Sequence, residues 1–306
     1  MPAPSSVVLR LTAFLAAVGL ATSRLGLVAH EFIGHGGATL AVGGRVTEVQ
    51  LFWFAGGWIR YEIPPSVTNH LVVALGGVAI EVAIGLPLWL LVRGDGLGAR
   101  IVRALGATLI VHACWYLATG AWHGYGDGTL LYRELGDARH PFAIGVGLVG
   151  CAFAWLGARH VLGALLAAVD HRVVALATAV VLAAAINIGL DVGELRVRRD
   201  ATYAATMAPE RERVVAREMA AWLAAHPVQV SDAERAAKAA QLEDAHRTFP
   251  FAWILGGALL VAIGAGARAS RRRAAVPLGA RAQRIALVLA AGAIALVIAI
   301  DYAVGA

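Results

Sequence analysis

Apolar residues along this chain fall in long blocks, broken by short polar interruptions, and the blocks approach the roughly 20 residues that cross a bilayer as a helix. Eight membrane segments are predicted on this pattern, at 7–22, 25–42, 70–92, 101–120, 141–156, 173–190, 251–267 and 286–303. The first carries one arginine, Arg10, an apolar run and small residues near Ala21-Thr22-Ser23, as a signal peptide does. The second follows almost at once, so a retained helical hairpin is expected, with Arg24 in its turn. Arg10 and Asp301 fall near segment ends, where a charged head can snorkel to the interface. Glycines are scattered among small residues inside the blocks, as close helix packing in lipid favours.

The pattern changes in two places. From Val46 to Phe54 and again from Trp58 to Ile63 the residues read as strands, with Gly56-Gly57 as the turn signal. This predicts a β-hairpin over 45–63, at or partly within the membrane surface, although a plain interfacial loop fits as well. Residues 191–250 form the long polar stretch. Glu210–Ala225 and a segment at 232–247 read as amphipathic helices, separated by His226-Pro227, with Ser231 as an N-cap. Asn187, Asp191 and Glu194 trail off the sixth segment as a helix end meeting water does.

Composition agrees. Of 306 residues 59% are hydrophobic and 15% charged, against about 25% charged in soluble domains. The net charge of +6 is spread as arginines at block ends, which act as orientation signals rather than as a nucleic-acid surface. The loop from Arg268 to Arg284 holds six arginines (268, 271, 272, 273, 281 and 284) and no acid, which makes it cytoplasmic. Counting back puts Arg24 and the 93–103 and 159–172 loops inside, and both ends of the chain and the polar insert outside. Cys114 and Cys151 lie in apolar segments without a CxxC partner and read as small buried hydrophobes. The expected fold is an all-α polytopic membrane protein of about eight transmembrane helices, with a short β-hairpin after the second and a small water-exposed helical insert. Its parts are a membrane core over 1–140, two more helices over 141–190, the insert over 191–250 and a C-terminal membrane hairpin over 251–306. A multi-pass protein of a bacterial-type plasma membrane is expected.

Candidate chemistry concentrates in His30-Glu31-Phe32-Ile33-Gly34-His35. From Leu25 to Val42 the only other polar side chain is Thr39. An ionised group at membrane depth costs about 2.5–3.5 kcal/mol on insertion scales, so three such residues in six positions need a reason. Two imidazoles that bind Zn2+, with a carboxylate to take a proton, supply one; a polar cluster hydrogen-bonded between helices is the other. The common zinc-hydrolase motif places its histidines four apart on one helix face. Here they are five apart, which on a regular helix leaves them about 140° out of phase. A π-bulge, for which Gly34 is a plausible place, would correct the phase. Glu31 and His35 share a face without a bulge and form an alternative ligand pair. The favoured assignment is His30 and His35 as ligands and Glu31 as base. Downstream, Asp127-Gly128 sits in a glycine-rich break after the fourth segment, either an ordinary turn or irregular backbone enclosed by protein. If 101–120 spans fully, Asp127 emerges on the side opposite His30, so the two meet only if the fourth segment unwinds early and 120–132 folds back. Glu81 reads as buried, either paired or neutral; His123 reads as a ligand or an orienting partner, His112 as a partner of a carboxylate such as Glu81, and an ordinary helix-contact histidine is the competing reading for each.

HEFIGH is similar to the HExxGH motif of the dipeptidyl peptidase III family, in which an inserted residue still leaves a zinc site. The wider arrangement resembles the site-2 protease family of intramembrane metalloproteases over roughly residues 20–135. A motif-bearing membrane helix is followed by a glycine-rich, strand-like stretch (Val42-Gly43-Gly44 and the hairpin), then by a helix with a small-residue motif, here Leu75-Gly76-Gly77-Val78-Ala79-Ile80-Glu81. Last comes a broken helix with Asp-Gly, here residues 118–128. The Pro and Asn usual in the last two motifs are missing. The resemblance implies that Asp127 is the third zinc ligand, that the activity is zinc-dependent intramembrane endopeptidase, and that the partner is a membrane-spanning protein segment in the lipid bilayer, with no nucleic acid. A non-proteolytic metal-binding scaffold or transporter, and a membrane zinc lipid hydrolase, are the alternatives.

Overall fold

A computed structural model of the chain describes residues 4–94, 96–169, 172–226, 230–270 and 278–304. It is an all-α membrane protein with one small sheet. Among the described residues seven helices are long and apolar enough to cross a bilayer.

The count differs from eight because the first two predicted segments are one helix, continuous over Ser6–Ala41. It begins as α1 (Pro4–Leu27), passes through a π-helical stretch at Val28–Gly36 and ends as α2 (Gly37–Ala41). No proline or glycine interrupts 22–25, so nothing forces a turn there. Arg24, expected in a loop, is buried inside this helix. Its guanidinium donates to the Phe52 carbonyl at 2.9 Å, to the Ala55 carbonyl and to Ser23 Oγ. Arg24 is therefore not a loop residue, and an odd number of candidate spans among the described residues does not agree with both ends of the chain lying on one side.

Strands β1 (Arg45–Leu51) and β2 (Gly57–Glu62) follow, antiparallel, with Val49 opposite Ile59 and an irregularity between Val46 and Glu48. This is the predicted hairpin. Its turn reaches Arg24, 17 residues below the end of α2, so the hairpin folds back along the helix it leaves. Irregular backbone at such depth must be satisfied by protein, and two carboxylates contribute. Glu194, expected to meet water, instead accepts from the backbone N–H groups of Trp53, Phe54 and Ala55 and pairs with Arg198. Asp301 accepts from Gln50, from Trp53 Nε1 at 3.1 Å and from Arg198 at 3.0 Å, so it holds the hairpin rather than snorkelling. Val49 and Leu51 bury their side chains against Val297.

Helices α3 (Val67–Leu91) and α4 (Leu97–His123) come next, then a short α5 (Gly128–Glu134), α6 (Arg139–Ala168) and α7 (Val173–Arg198). The polar insert holds α8 (Ala201–Met207), α9 (Glu210–Ala225) and α10 (Asp232–Ala245), and α11 (Phe251–Ala269) and α12 (Ala280–Val304) complete the bundle. Ser231 caps α10 in a reciprocal box with Glu234; these hydrogen bonds hold the Glu234 carboxyl below the usual range. Pro227 and Arg271, Arg272 and Arg273 lie outside the described residues. Helix α3 packs against both the π-helical stretch and α4. One lobe continues through α6 and α11, the other joins α1 to α7 and α12. The lobes meet where Leu11, Phe14 and Ala17 of α1 share a buried cluster with Leu165 and Leu166 of α6.

Merging the first two segments changes where the histidines stand. They occupy the last third of the first helix, at the same end of the bundle as the C-terminus of α4. Helix α4 does not unwind early: it runs to His123 and closes on Gly124, whose φ of 73° returns the chain. Asp127 meets the histidines without any refolding of α4.

Replacing Arg24 with Met removes the charged partner of the buried turn. A buried acceptor left without its donor costs about 1–3 kcal/mol, so R24M is expected to lower the denaturant midpoint in detergent and to open 52–56 to proteolysis. Wild-type values for both would show that the clamp is unimportant.

Candidate metal centre

The π-helical stretch solves the phase problem. Its hydrogen bonds close over five residues rather than four, so positions five apart stack, and His30 and His35 lie five apart. Their ring centroids are 4.8 Å apart, nearly perpendicular. The distortion spans nine residues, Val28–Gly36, where a single bulged residue at Gly34 was expected. Gly34 has a different duty. A Cβ there would lie 2.5 Å from the Gly77 Cα, and one on Gly77 would lie 2.5 Å from His30 Nε2. The Gly76-Gly77 pair on α3 thus lets backbone approach backbone and leaves room for the imidazole.

Asp127 completes the group. His30 Nε2 lies 3.0 Å from Asp127 Oδ2, and His35 Nε2 lies 3.2 Å from Oδ1. One donor atom from each of the three residues falls within 4.8 Å of the others. The second nitrogen of each ring is fixed from outside. His35 Nδ1 donates to the Val73 carbonyl at 2.7 Å; a carbonyl only accepts, so that nitrogen carries the proton. His30 Nδ1 is 3.1 Å from Glu81 Oε1, and Glu81 also meets His112 Nδ1 at 3.0 Å. Glu81 is 2% exposed, while His112 is open on its outer side.

These tautomers, assigned from the hydrogen-bond network, leave both Nε2 lone pairs facing carboxylate oxygens. Acceptor against acceptor at 3.0–3.2 Å is repulsive unless positive charge lies between them. A further proton on each ring supplies it, as does one divalent cation. Two imidazoles and a carboxylate, each imidazole oriented by a hydrogen bond from its other nitrogen, make a donor set that zinc accepts with one position open. The residues present fit the ion.

Glu31 is adjacent and interacts electrostatically with His35, His30 and Asp127. His123 does not join the group; its ring stacks on Tyr125. Two residues not singled out from the sequence border the site. Tyr116, one turn from His112, stacks on that ring at 6.0 Å, packs edge-on against His30 at 5.7 Å and sets its hydroxyl against Gly126, next to Asp127. Tyr203 of α8 packs on Phe52 at 5.3 Å and against Gly56 at the hairpin turn. The spacing of His112 and Tyr116 on one face of α4 was the available signal for the first. Gly126, with φ 53°, makes the turn that aims Asp127, and a side chain there would strike the Tyr116 hydroxyl.

No family model, curated protein or solved structure matches the chain.

Glu81→Gln removes the charge behind His30 and is expected to weaken zinc binding by about 10–100-fold, read by competition with a fluorescent chelator. Gly77→Ala should do at least as much through the clash with His30. Affinity unchanged in both would show that neither residue orients a ligand.

Proposed function

We propose that the protein is a zinc-dependent intramembrane endopeptidase that cleaves membrane-spanning protein segments. The observation that carries this reading is the pair of imidazole Nε2 atoms 3.0 and 3.2 Å from one carboxylate, with a second carboxylate, Glu31, adjacent in the same stretch. His30, His35 and Asp127 would hold the ion. When bound, zinc supplies Lewis acidity toward a water molecule and a peptide carbonyl. Every remaining step falls to side chains. Glu31 accepts the proton that water loses and hands it to the leaving amine. Glu81 and the Val73 carbonyl keep each imidazole proton on Nδ1, so that Nε2 faces inward. Tyr116 packs against His30 and crowds Gly126, which limits how the Asp127 loop can shift.

A helical substrate must unwind before its carbonyls can be reached, since they are otherwise engaged four residues along. Strand β2 packs beside the π-helical stretch, which puts the hairpin where an extended segment can pair with a strand. The hairpin is fixed by Arg24, Glu194 and Asp301, so it can act as a rigid template. A scaffold, a transporter and a lipid hydrolase share the donor set; the strand beside it favours an extended peptide as the substrate.

Glu31→Gln is expected to lower cleavage of a transmembrane peptide substrate by about 10²–10⁴-fold, with zinc content kept. Cleavage at the wild-type rate in E31Q would reject Glu31 as base. Lipid turnover or metal flux in vesicles without peptide cleavage would favour the other functions.

A further inference from the structure

The insert does more than decorate the bundle. Its first helix, α8, sits between the two walls of the candidate centre and is bonded to each. On one side Arg60 of β2 donates to Thr202 Oγ1 at 3.1 Å. On the other the Gly126 N–H, next to Asp127, donates to the Thr206 carbonyl at 3.0 Å. Between them the Tyr203 ring lies on Phe52 and against Gly56, where a Cβ would be 2.7 Å away. An open cavity of about 660 Å³ borders the Asp127 loop, lined by Gly126, Thr129, Thr202, Thr206 and Arg213.

Both ends of α8 are defined turns. Arg199 stands before it at φ 49°, and is the only non-glycine residue with positive φ among those described. Asp200 caps the helix by accepting from the Tyr203 N–H, and Pro209 follows it. Beyond Pro209 the insert is bolted to α5. Glu210, 6% exposed, pairs with Arg133 at 2.8 Å and packs on Gly124, and Arg213 returns to the carbonyls of Ala205, Thr206 and Ala208. The helix itself has no fully buried residue. Apart from the Tyr203 ring on Phe52 it is held by a handful of polar bonds rather than by a core, the condition of a segment that opens locally.

We propose that α8 is a closing strap. It covers the approach between β2 and the Asp127 loop, pivots at Arg199 and Pro209, and lifts to admit an unwound peptide. This rests on the endopeptidase reading for what is admitted, but the motion of the strap does not. Three outcomes are expected of purified full-length protein. Arg133→Ala, which frees the insert, speeds hydrogen–deuterium exchange over 124–129 and 201–208 and raises the rate of zinc extraction by a chelator several-fold. In a C114A/C151A background, R60C and T202C joined by a short cleavable bis-thiol linker slow both exchange and extraction. The linked protein cleaves a transmembrane peptide at least tenfold more slowly, and cutting the linker restores the rate. Exchange unchanged in Arg133→Ala, or linked protein that cleaves as fast as unlinked, overturns the strap. Protein that binds no zinc and cleaves nothing in any form defeats the endopeptidase reading instead, and the exchange rates then still decide whether α8 moves.

Discussion

Five residues separate His30 from His35, and the π-helical pitch over Val28–Gly36 is what puts their rings on one face. The rest of the site follows from that phase. With α-helical pitch one imidazole would point into lipid as an unpartnered polar group, at a cost that membrane helices do not tolerate. The stretch is supported from outside: Gly34 lies on the Gly76-Gly77 backbone of α3, and Thr39 Oγ1 and His35 Nδ1 are both bonded to carbonyls. Helix α3 thus does three things at once. It lets the distorted helix approach, supplies the Val73 carbonyl to one imidazole and supplies Glu81 to the other.

A second constraint is the buried hairpin turn. A strand pair folded back along a membrane helix exposes backbone groups that lipid cannot satisfy. Arg24 takes its carbonyls, Glu194 takes its N–H groups, and Asp301 takes side-chain donors on β1 and the turn. These charges come from α1, α7 and α12, so the lobe that carries the hairpin is tied together at the turn. The other lobe, through α4, delivers Asp127 and Tyr116. The candidate centre forms where the lobes meet at one end.

How much of this could be read beforehand depends on range. Apolar blocks, the alternating strands and the Ser231 N-cap are local signals; the strands and the cap stand as read, and so do the apolar blocks except that the first two are one helix. His30, His35, Glu81, His112 and Asp127 were conspicuous because polar residues are costly in apolar surroundings. Arg24 misled for the same reason: beside Ser23 it resembles a loop, and its partners Phe52, Ala55 and Glu194 are distant in the chain. That error produced an extra crossing and set Asp127 on the wrong side of the bilayer from His30. Val73 was invisible because its contribution is a backbone carbonyl. Tyr203 was invisible because nothing local ties the insert to the hairpin turn.

The most direct measurement is zinc K-edge X-ray absorption on protein purified with its metal retained. The proposed reading predicts an ion with two imidazole ligands and oxygen, with nitrogen and oxygen at about 2.0–2.2 Å and no sulfur. Protein that carries no zinc, or a spectrum with fewer than two imidazoles, would contradict the account.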